Sequence, residues 1–316
     1  MNAPEGRAVP PAGDHGGDGA RVAAALGLRP DQVLDLSASL NPVAPDVATL
    51  AAPHLGALGR YPDVEAAEAT LAARLDLRPD RLVLTAGGSQ AIALVAAHLG
   101  AGRVDEPEFS LYRRHLARLD PDGPRWRSDP HNPSGVLAGP DETAGVWDEA
   151  FLPLAAGVWT KDRPGWSLGS LTKAFACPGL RLGYALAPDA EAADALRRAR
   201  PAWAVGSLSC AVLPDLLAEA DPVMWTAAVA KGRAELVAAL RAHGWHPLSS
   251  DAPWVLVPAA PDLRDALARQ AVVVRSCASF GLPDHVRIAV PDGAGLDRLD
   301  AALTAVARAT GSGRGP

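Results

Sequence analysis

Residues 170–184 read SLTKAFACPGLRLGY and combine a lysine, an arginine, a serine and a threonine within fifteen residues. Lys173 lies in a loop rich in hydroxyl side chains, and Arg181 follows it eight residues later. A phosphorylated aldehyde needs this set of groups, because an amine can bond its carbonyl carbon while hydroxyls and a guanidinium bind the phosphate. The whole chain has three lysines, so few other amines are available. The alternative is that Lys173 is a solvated lysine beside a buried strand.

Around this stretch, short apolar runs alternate with segments of helical spacing. Apolar runs that suit buried strands lie at residues 81–85, 102–105, 147–148 and 181–186, with helical patterns at 64–77, 89–99 and 110–119. This alternation predicts a mostly parallel sheet with helices on both faces. Helical patterns at 191–199 and 211–243 then precede a smaller α+β unit, with strands at 254–257, 271–275 and 285–290 and helices at 262–270 and 297–309.

Composition and charge exclude several classes of protein. The chain has 316 residues, with 30 basic and 36 acidic side chains and a net charge of −6. A general nucleic-acid-binding protein or a polybasic membrane protein needs a surplus of Lys and Arg, so neither class fits. The N-terminal segment has no apolar core of a signal peptide, and three cysteines do not make a disulfide framework. We therefore expect a cytoplasmic protein with no membrane, nucleic-acid or metal partner.

Three further segments carry polar groups at positions where α/β sheets bind ligands. Gly87, Gly88 and Ser89 follow a predicted strand and open a helix, so their backbone N–H groups favour an anion. Asp148 ends a predicted strand, where a carboxylate can keep a pyridine nitrogen protonated. Asn132 could bond a phenolic oxygen. Each segment also has a plain structural explanation, as a tight turn, a helix cap and a turn respectively.

In order and in kind, these segments resemble the fold-type I, pyridoxal-phosphate-dependent enzymes of the class I/II aminotransferase superfamily. The resemblance covers about residues 15–309. It implies an α/β fold of the aspartate aminotransferase type, with a large, mostly parallel sheet domain and a smaller α+β C-terminal domain. It also implies pyridoxal 5'-phosphate as the cofactor, a decarboxylase (lyase) or aminotransferase activity on an amino acid, and a homodimer with shared active sites.

The resemblance assigns the cofactor contacts residue by residue. Lys173 matches the Schiff-base lysine, Asp148 the partner of the pyridine nitrogen, and Asn132 the residue that bonds O3′. Tyr112 matches the aromatic residue that stacks on the ring, so the resemblance implies a catalytic role for Tyr112 with Lys173 and Asp148. Tyr61 matches a tyrosine that reaches the phosphate of the neighbouring subunit. The remaining matches are the phosphate ligands Gly88, Ser89, Ser170, Thr172 and Arg181.

Within the superfamily, the chain looks most similar to threonine-phosphate decarboxylases of the cobalamin pathway, which are near relatives of histidinol-phosphate aminotransferases. The similarity rests on HGGD at 15–18, DLSASLNP at 35–42 and VRSCASFGLP at 274–283. Arg287 matches the arginine that binds the substrate α-carboxylate, which a guanidinium can hold with two parallel hydrogen bonds. The other implied substrate contacts are Arg275, His15, Ser39 and Asn41.

The sequence departs from its relatives in three places. Ser39 stands where relatives usually have Asn, and Phe151 stands where many have Tyr, which removes one hydrogen bond to O3′. Only 19 residues separate Tyr112 from Asn132, and 15 separate Asn132 from Asp148. Both intervals are shorter than in relatives. These departures bear on the substrate and the activity more than on the fold.

The leading functional expectation is decarboxylation of L-threonine O-3-phosphate. The alternatives are amino transfer of the histidinol-phosphate aminotransferase type and a binding protein of the same fold that has lost catalysis. The expected organisation is a disordered leader at 1–14, an N-terminal arm on the small domain at 15–48, the cofactor-binding large domain at 49–215, the small C-terminal domain at 216–311 and a tail at 312–316.

Overall fold

The computed structural model describes residues 8–311, with side chains described for 8–309. The expected tail, 312–316, and the first half of the expected leader, 1–7, lie outside the described residues. Within residues 8–311, no helix combines the length and the apolar character needed to cross a membrane.

The strands of the described chain are short. In chain order they are β1 (Leu34–Leu36), β2 (Leu82–Ala86), β3 (Ala101–Val104), β4 (Arg118–Leu119), β5 (Arg125–Ser128), β6 (Val146–Asp148), β7 (Trp166–Gly169), β8 (Leu182–Leu186), β9 (Trp254–Val257), β10 (Val272–Ser276) and β11 (Val286–Ala289).

The helices vary more in length. In chain order they are α1 (Gly19–Leu26), α2 (Val47–Ala51), α3 (Val64–Leu75), α4 (Gly88–Leu99), α5 (Leu111–His115), α6 (Leu152–Ala155), α7 (Leu171–Ala174), α8 (Ala190–Ala199), α9 (Ser207–Ala218), α10 (Pro222–Ala242), α11 (Leu263–Ala268) and α12 (Gly293–Gly311).

The described chain divides into two compact units. The first unit comprises residues 8–42, 133–135 and 228–311, and the second comprises 43–132 and 136–227. The boundary near residue 228 falls inside α10.

The second unit is built on a seven-stranded sheet with the order β2-β8-β7-β6-β5-β3-β4. Strands β3 to β7 pair in parallel, and β8 is antiparallel to both of its neighbours. The carboxyl ends of β2, β5, β6 and β7 and the start of β8 therefore lie at one edge, which is where open α/β sheets bind ligands. The expected α/β class with a mostly parallel sheet is confirmed.

The first unit has a four-stranded sheet with the order β1-β10-β11-β9. β1 pairs with β10 in parallel, and the other pairs are antiparallel. Leu236 and Leu240 of α10 and Leu299 of α12 join the sheet residues Val255 and Ile288 in one buried cluster. Burying these aliphatic side chains stabilises the unit by about 1.5–3 kcal/mol each.

Several elements differ from the sequence prediction. The helix expected at 110–119 is only the five-residue α5, because the chain becomes extended at Leu116 and pairs as β4. The helical region expected at 211–243 is two helices, because Pro222 starts a new one and Asp221 caps it by accepting a hydrogen bond from Met224 N. Strands β1, β5 and β7 were not predicted.

The described part of the expected leader, residues 8–14, accepts hydrogen bonds from two arginines of the first unit. The carbonyl of Pro10 accepts a hydrogen bond of 2.7 Å from Arg264 Nη1, and the carbonyl of Asp14 accepts one of 3.2 Å from Arg275 Nη2. These buried guanidiniums need acceptors, so they hold the segment on the first unit.

Candidate active site

The turn from β2 into α4 forms the centre of the candidate phosphate site. Gly87 has φ +79°, a conformation that glycine adopts without strain, and the helix starts at Gly88. A Cβ on Gly183 would lie 2.5 Å from Gly87 C and 2.6 Å from Gly88 N. Only a residue without a side chain therefore lets β8 pass so close to this turn. The first N–H groups of a twelve-residue helix then point toward an anion.

The side chains of Arg181 and Ser170 face this turn. A Cβ on Gly87 would lie 2.5 Å from Arg181 Nη2, and a Cβ on Gly88 would lie 3.6 Å from Ser170 Cβ. Arg181 is exposed and donates from Nη2 to the carbonyl of Ala86 at 3.3 Å. Ser89, in the first turn of α4, is also exposed. These groups make a set of donors that suits a phosphate.

Thr172 differs from its expected role. Its side chain is buried, and its hydroxyl donates to the carbonyl of Leu182 at 3.2 Å. The single hydroxyl proton is thus used inside the protein and is not offered to a phosphate.

Lys173 lies in α7, directly after β7, with a half-buried side chain. Its Nζ is 5.7 Å from the centre of the Phe151 ring, and its positive charge lowers the pKa of Asp148. The amine and this carboxylate therefore act on each other within one site.

Asp148 ends β6 and is held by two donors. Its Oδ2 accepts a hydrogen bond of 2.8 Å from Tyr112 Oη, and its Oδ1 accepts one of 3.1 Å from Ala150 N. Burial raises the pKa of Asp148, and the charge of Glu149 raises it further, while the two hydrogen bonds and Lys173 oppose the rise. A carboxylate in such a desolvated place is strongly attracted to a cation such as a protonated ring nitrogen.

Tyr112 differs from the expected stacking residue. Its ring is fully buried in the core of the second unit, with its centre 5.3 Å from that of Trp126 and 5.8 Å from that of Phe109. Burial raises the pKa of Tyr112 well above its usual value, so the hydroxyl stays protonated. In this structure, Tyr112 therefore acts on the site through its hydrogen bond to Asp148.

Asn132 is buried in the segment that follows β5. Its backbone N donates to Ser128 Oγ at 2.8 Å. Ser128 is the register partner of Asp148 on the adjacent strand, and its Oγ donates at 2.6 Å to Glu108 Oε2. Glu108 and Ser128 were not singled out from the sequence. No sequence pattern marks them, because their importance depends on burial and on the pairing of β5, which was not predicted.

A buried group of ion pairs supports the strand ends behind Asp148. Arg163 Nη2 lies 2.9 Å from Asp129 Oδ2 and 2.7 Å from Glu149 Oε1, with its guanidinium 3.4 Å from the centre of the Trp147 ring. Lys161 also donates to Asp129, at 3.0 Å. Breaking a buried pair of this kind is costly because an uncompensated charge remains, so the ends of β5 and β6 are firmly positioned.

The first unit carries the two expected substrate arginines as direct neighbours. Arg275 in β10 and Arg287 in β11 are register partners, and both are buried. Burial lowers the pKa of each, and the charge of Arg275 lowers that of Arg287 further. Their guanidiniums lie over aromatic rings, that of Phe280 at 4.7 Å and that of Trp254 at 4.6 Å. Two like charges buried side by side favour anionic ligands.

His15 and Ser39 belong to two segments that pack closely against each other, around Gly16 and Ser37. A Cβ on Gly16 would lie 2.1 Å from the Ser37 carbonyl oxygen, and Gly17 N donates to Ser37 Oγ at 2.8 Å. His15 follows Asp14, the residue bound by Arg275. Ser39 is buried, and its Oγ has no hydrogen-bond partner among the described residues. Asn41 is buried two residues later.

Tyr61 is the most exposed aromatic residue of the described chain, with 75% of its surface accessible. Its ring lies 4.6 Å from that of Trp203, which is 60% exposed. Two stacked aromatic rings on the surface are typical of an interface.

The donor set of the second unit fits pyridoxal phosphate. The first turn of α4, Ser170 and Arg181 suit a phosphate, Asp148 suits a protonated pyridine nitrogen, and Lys173 suits an aldehyde. All of the expected cofactor residues fall in the second unit and all of the expected substrate residues in the first.

Comparison with known proteins agrees with this chemistry. Residues 129–303 match the family model "Aminotransferase class I and II". The chain is 30% identical to histidinol-phosphate aminotransferase 2 of Methylococcus capsulatus, over 87% of this chain and 90% of the relative. It is 31% identical to threonine-phosphate decarboxylase of Salmonella typhimurium, over 92% of this chain and 95% of the relative.

A solved structure with the same fold contains the cofactor. Histidinol-phosphate aminotransferase of Sinorhizobium meliloti, in complex with pyridoxal 5'-phosphate, superposes with a TM-score of 0.75 at 21% identity. The match covers 86% of this chain and 90% of that one.

Proposed function

Because the chain belongs to the class I and II aminotransferases, whose cofactor is pyridoxal 5'-phosphate, we propose that it decarboxylates L-threonine O-3-phosphate. This would be a step of cobalamin synthesis. The observation that carries the proposal is the pair of buried arginines, Arg275 and Arg287, on neighbouring strands. A substrate with a carboxylate and a phosphate offers one anion to each guanidinium, and a simple amino acid with a neutral side chain offers only one.

The proposed roles of the residues follow from their chemistry. The cofactor, when bound, supplies an electron sink next to Cα of the substrate. Arg287 binds the α-carboxylate, and Arg275 binds the phosphate. Asp148 holds a proton on the ring nitrogen, and Tyr112 orients that carboxylate through its hydroxyl. Lys173 would hold the cofactor through its amine and would give or take the proton at Cα of the substrate.

A second candidate is amino transfer of the histidinol-phosphate aminotransferase type. It is supported by the similarity to the Methylococcus capsulatus enzyme, which is as strong as that to the decarboxylase. Both reactions need the same sink and the same lysine, and they differ in which bond at Cα breaks. Histidinol phosphate has a phosphate but no carboxylate, so it would leave one of the two arginines without an anion.

The two candidates are separated by their products. The protein loaded with cofactor is incubated with L-threonine O-3-phosphate, and separately with histidinol phosphate and a keto acid. We expect release of CO2 from the first substrate and no new keto or aldehyde product from either. Transamination without CO2 release would overturn the decarboxylase proposal while leaving the family and the cofactor intact.

A further inference from the structure

We propose that Arg163 is a positioning residue for the candidate cofactor site. It joins the residue that follows β5 to the residue that follows β6, and it balances the buried negative charge next to Asp148. The inference rests on the proposed place of Asp148 at the ring nitrogen, and it is independent of which bond at Cα breaks.

Arg163 bridges two buried carboxylates. Its Nη2 lies 2.9 Å from Asp129 Oδ2 and 2.7 Å from Glu149 Oε1. Asp129 is 0% exposed and Glu149 is 1% exposed. The guanidinium carbon of Arg163 also lies 3.4 Å from the centre of the Trp147 ring. One side chain, from the loop before β7, therefore holds the carboxyl ends of two adjacent strands.

Both of these carboxylates belong to residues that are connected directly to Asp148. The backbone N of Asp129 donates to the Asp148 carbonyl at 2.8 Å. Glu149 is the next residue in the chain, and its backbone N donates to the Leu168 carbonyl of β7 at 2.8 Å. A shift of either residue therefore moves the backbone of Asp148. Arg163 acts on Asp148 through these two neighbours.

The four charges of this cluster balance. Asp129 and Glu149 are negative, and Lys161 and Arg163 are positive. Lys161 Nζ lies 3.0 Å from Asp129 Oδ2, so Asp129 keeps a cation when Arg163 is removed. Among the residues that the structure describes, Glu149 forms an ion pair only with Arg163, and its buried Oε2 has no hydrogen-bond partner. Loss of Arg163 therefore leaves one uncompensated negative charge on Glu149.

This charge acts on the candidate site because Glu149 is adjacent to Asp148. Burial raises the pKa of Asp148 and the charge of Glu149 raises it further, whereas the hydrogen bond from Tyr112 and the charge of Lys173 lower it. Charges in a desolvated site are weakly screened. With Arg163 in place the cluster adds no net charge to the site, and without Arg163 it adds one negative charge.

The sign of the effect follows from this balance. An added negative charge favours the protonated, cationic forms of a bound cofactor and so raises their pKa values. The nitrogen that would join Lys173 to the cofactor is such a group, and loss of its proton changes the visible absorption band. Arg163 therefore keeps the pKa of this nitrogen lower than it would be beside an unpaired Glu149.

The test is a pH titration of the visible band of the cofactor-loaded protein without substrate. We expect Arg163→Gln to raise the apparent pKa of the band by about one pH unit. Glu149→Gln should lower this pKa, because the cluster then carries one excess positive charge. The double variant with both substitutions is again neutral and should return to the wild-type value.

Two further variants separate charge from folding. Arg163→Lys keeps the positive charge but loses the fork of donors, so the pKa of its band should stay near that of the wild type. Arg125→Gln is the matched control, since Arg125 pairs with Asp105 and Glu142 at the opposite end of β5. It should lower the melting temperature without moving the pKa of the band.

Three results would overturn the proposal. The first is an Arg163→Gln band with the pKa of the wild type, and the second is an equal change in Arg163→Gln and Arg125→Gln. If Arg163→Gln does not fold, Glu149→Gln decides, and a band pKa that is not lowered there is the third. Because no substrate is present, failure of the proposed decarboxylation would leave these results unchanged.

Discussion

Lys173 is one of three lysines, and the other two have different surroundings. Lys161 is bound to the buried carboxylate of Asp129, and Lys231 is an exposed side chain 4.0 Å from Glu235. Lys173 alone of the three lies next to Phe151 and lowers the pKa of Asp148. It is therefore the lysine we propose to bond the cofactor covalently.

Replacing this lysine tests whether the chain is catalytic or a binding protein of the same fold. We expect Lys173→Ala to abolish the covalent bond to pyridoxal phosphate, the visible absorption band and all turnover, because no other amine of the described chain lies beside Asp148. Borohydride reduction followed by mass spectrometry locates the modified residue. Lys231→Ala is the matched control and should retain the label and the band. A label that persists in Lys173→Ala would contradict the assignment.

The sequence offers predictions for single residues where a motif fixes both their type and their neighbours. The sequence motifs show directly the charge and the spacing of four such residues: Lys173, Asp148, Arg181 and Arg287. The conformation of Tyr112 and the burial of Glu108 were not predictable in this way. Both depend on burial against Trp126 and Ser128 in β5, and a carboxylate that will be buried looks the same in the sequence as one that will be solvated.

At the scale of elements, the crossing of β8 beside the first turn of α4 shapes the candidate phosphate site. Gly183 is the point of closest approach, and the atoms that a Cβ would meet there are backbone atoms of Gly87, Gly88 and Gly169. Backbone cannot move aside as a flexible side chain can, so added volume must displace the strand or the helix.

Gly183→Ala should therefore lower the free energy of unfolding by about 1–3 kcal/mol and weaken binding of pyridoxal phosphate, because the turn that offers its N–H groups is displaced. Chemical denaturation and fluorescence titration measure the two effects. Gly179→Ala serves as the control, since a Cβ there meets nothing within 4 Å. Equal stability and affinity for the two variants would show that the site tolerates a shift of β8.

Elements with a regular apolar pattern were predicted closely, and those without one were missed. The strands now seen as β2, β8 and β9 are continuous apolar runs, and they lie within a residue or two of the expected ranges. β5 has the sequence RWRS, and its buried Arg127 is paired with Glu142. Because three of its four residues are polar, the sequence does not indicate a buried strand there. β7 begins after Pro164 and Gly165, where the sequence indicates a turn.

At the scale of the whole molecule, the exposed apolar side chains of the second unit indicate a partner. Leu55 and Leu58 are 54% and 66% exposed, and they lie on the 3-10 helix just before Tyr61, whose ring is stacked on Trp203. We propose that this surface binds a second copy of the chain, which would use Tyr61 in the partner's phosphate site.

Leu58→Asp tests this assembly. We expect a dimer for the wild type and a dimer dissociation constant raised about tenfold or more for the variant, since burying an unpaired carboxylate costs more than about 1.4 kcal/mol. Sedimentation velocity across a range of concentrations measures the change. Val223→Asp, at a residue that is 73% exposed on α10, should leave the dimer unchanged. A wild-type monomer at high concentration would contradict the proposal.

The pairing of β1 with β10 has a consequence for synthesis on the ribosome. β1 is translated early, but its parallel partner, aligned from Leu34↔Val272 to Leu36↔Val274, is made near the end. The second unit needs little beyond residues 43–227 and can therefore fold while translation continues, as domains commonly do. Until the C-terminal strands emerge, apolar side chains such as Val22 and Leu36 have no core to enter. The N-terminal segment of this chain is thus the part that chaperones must shield for longest.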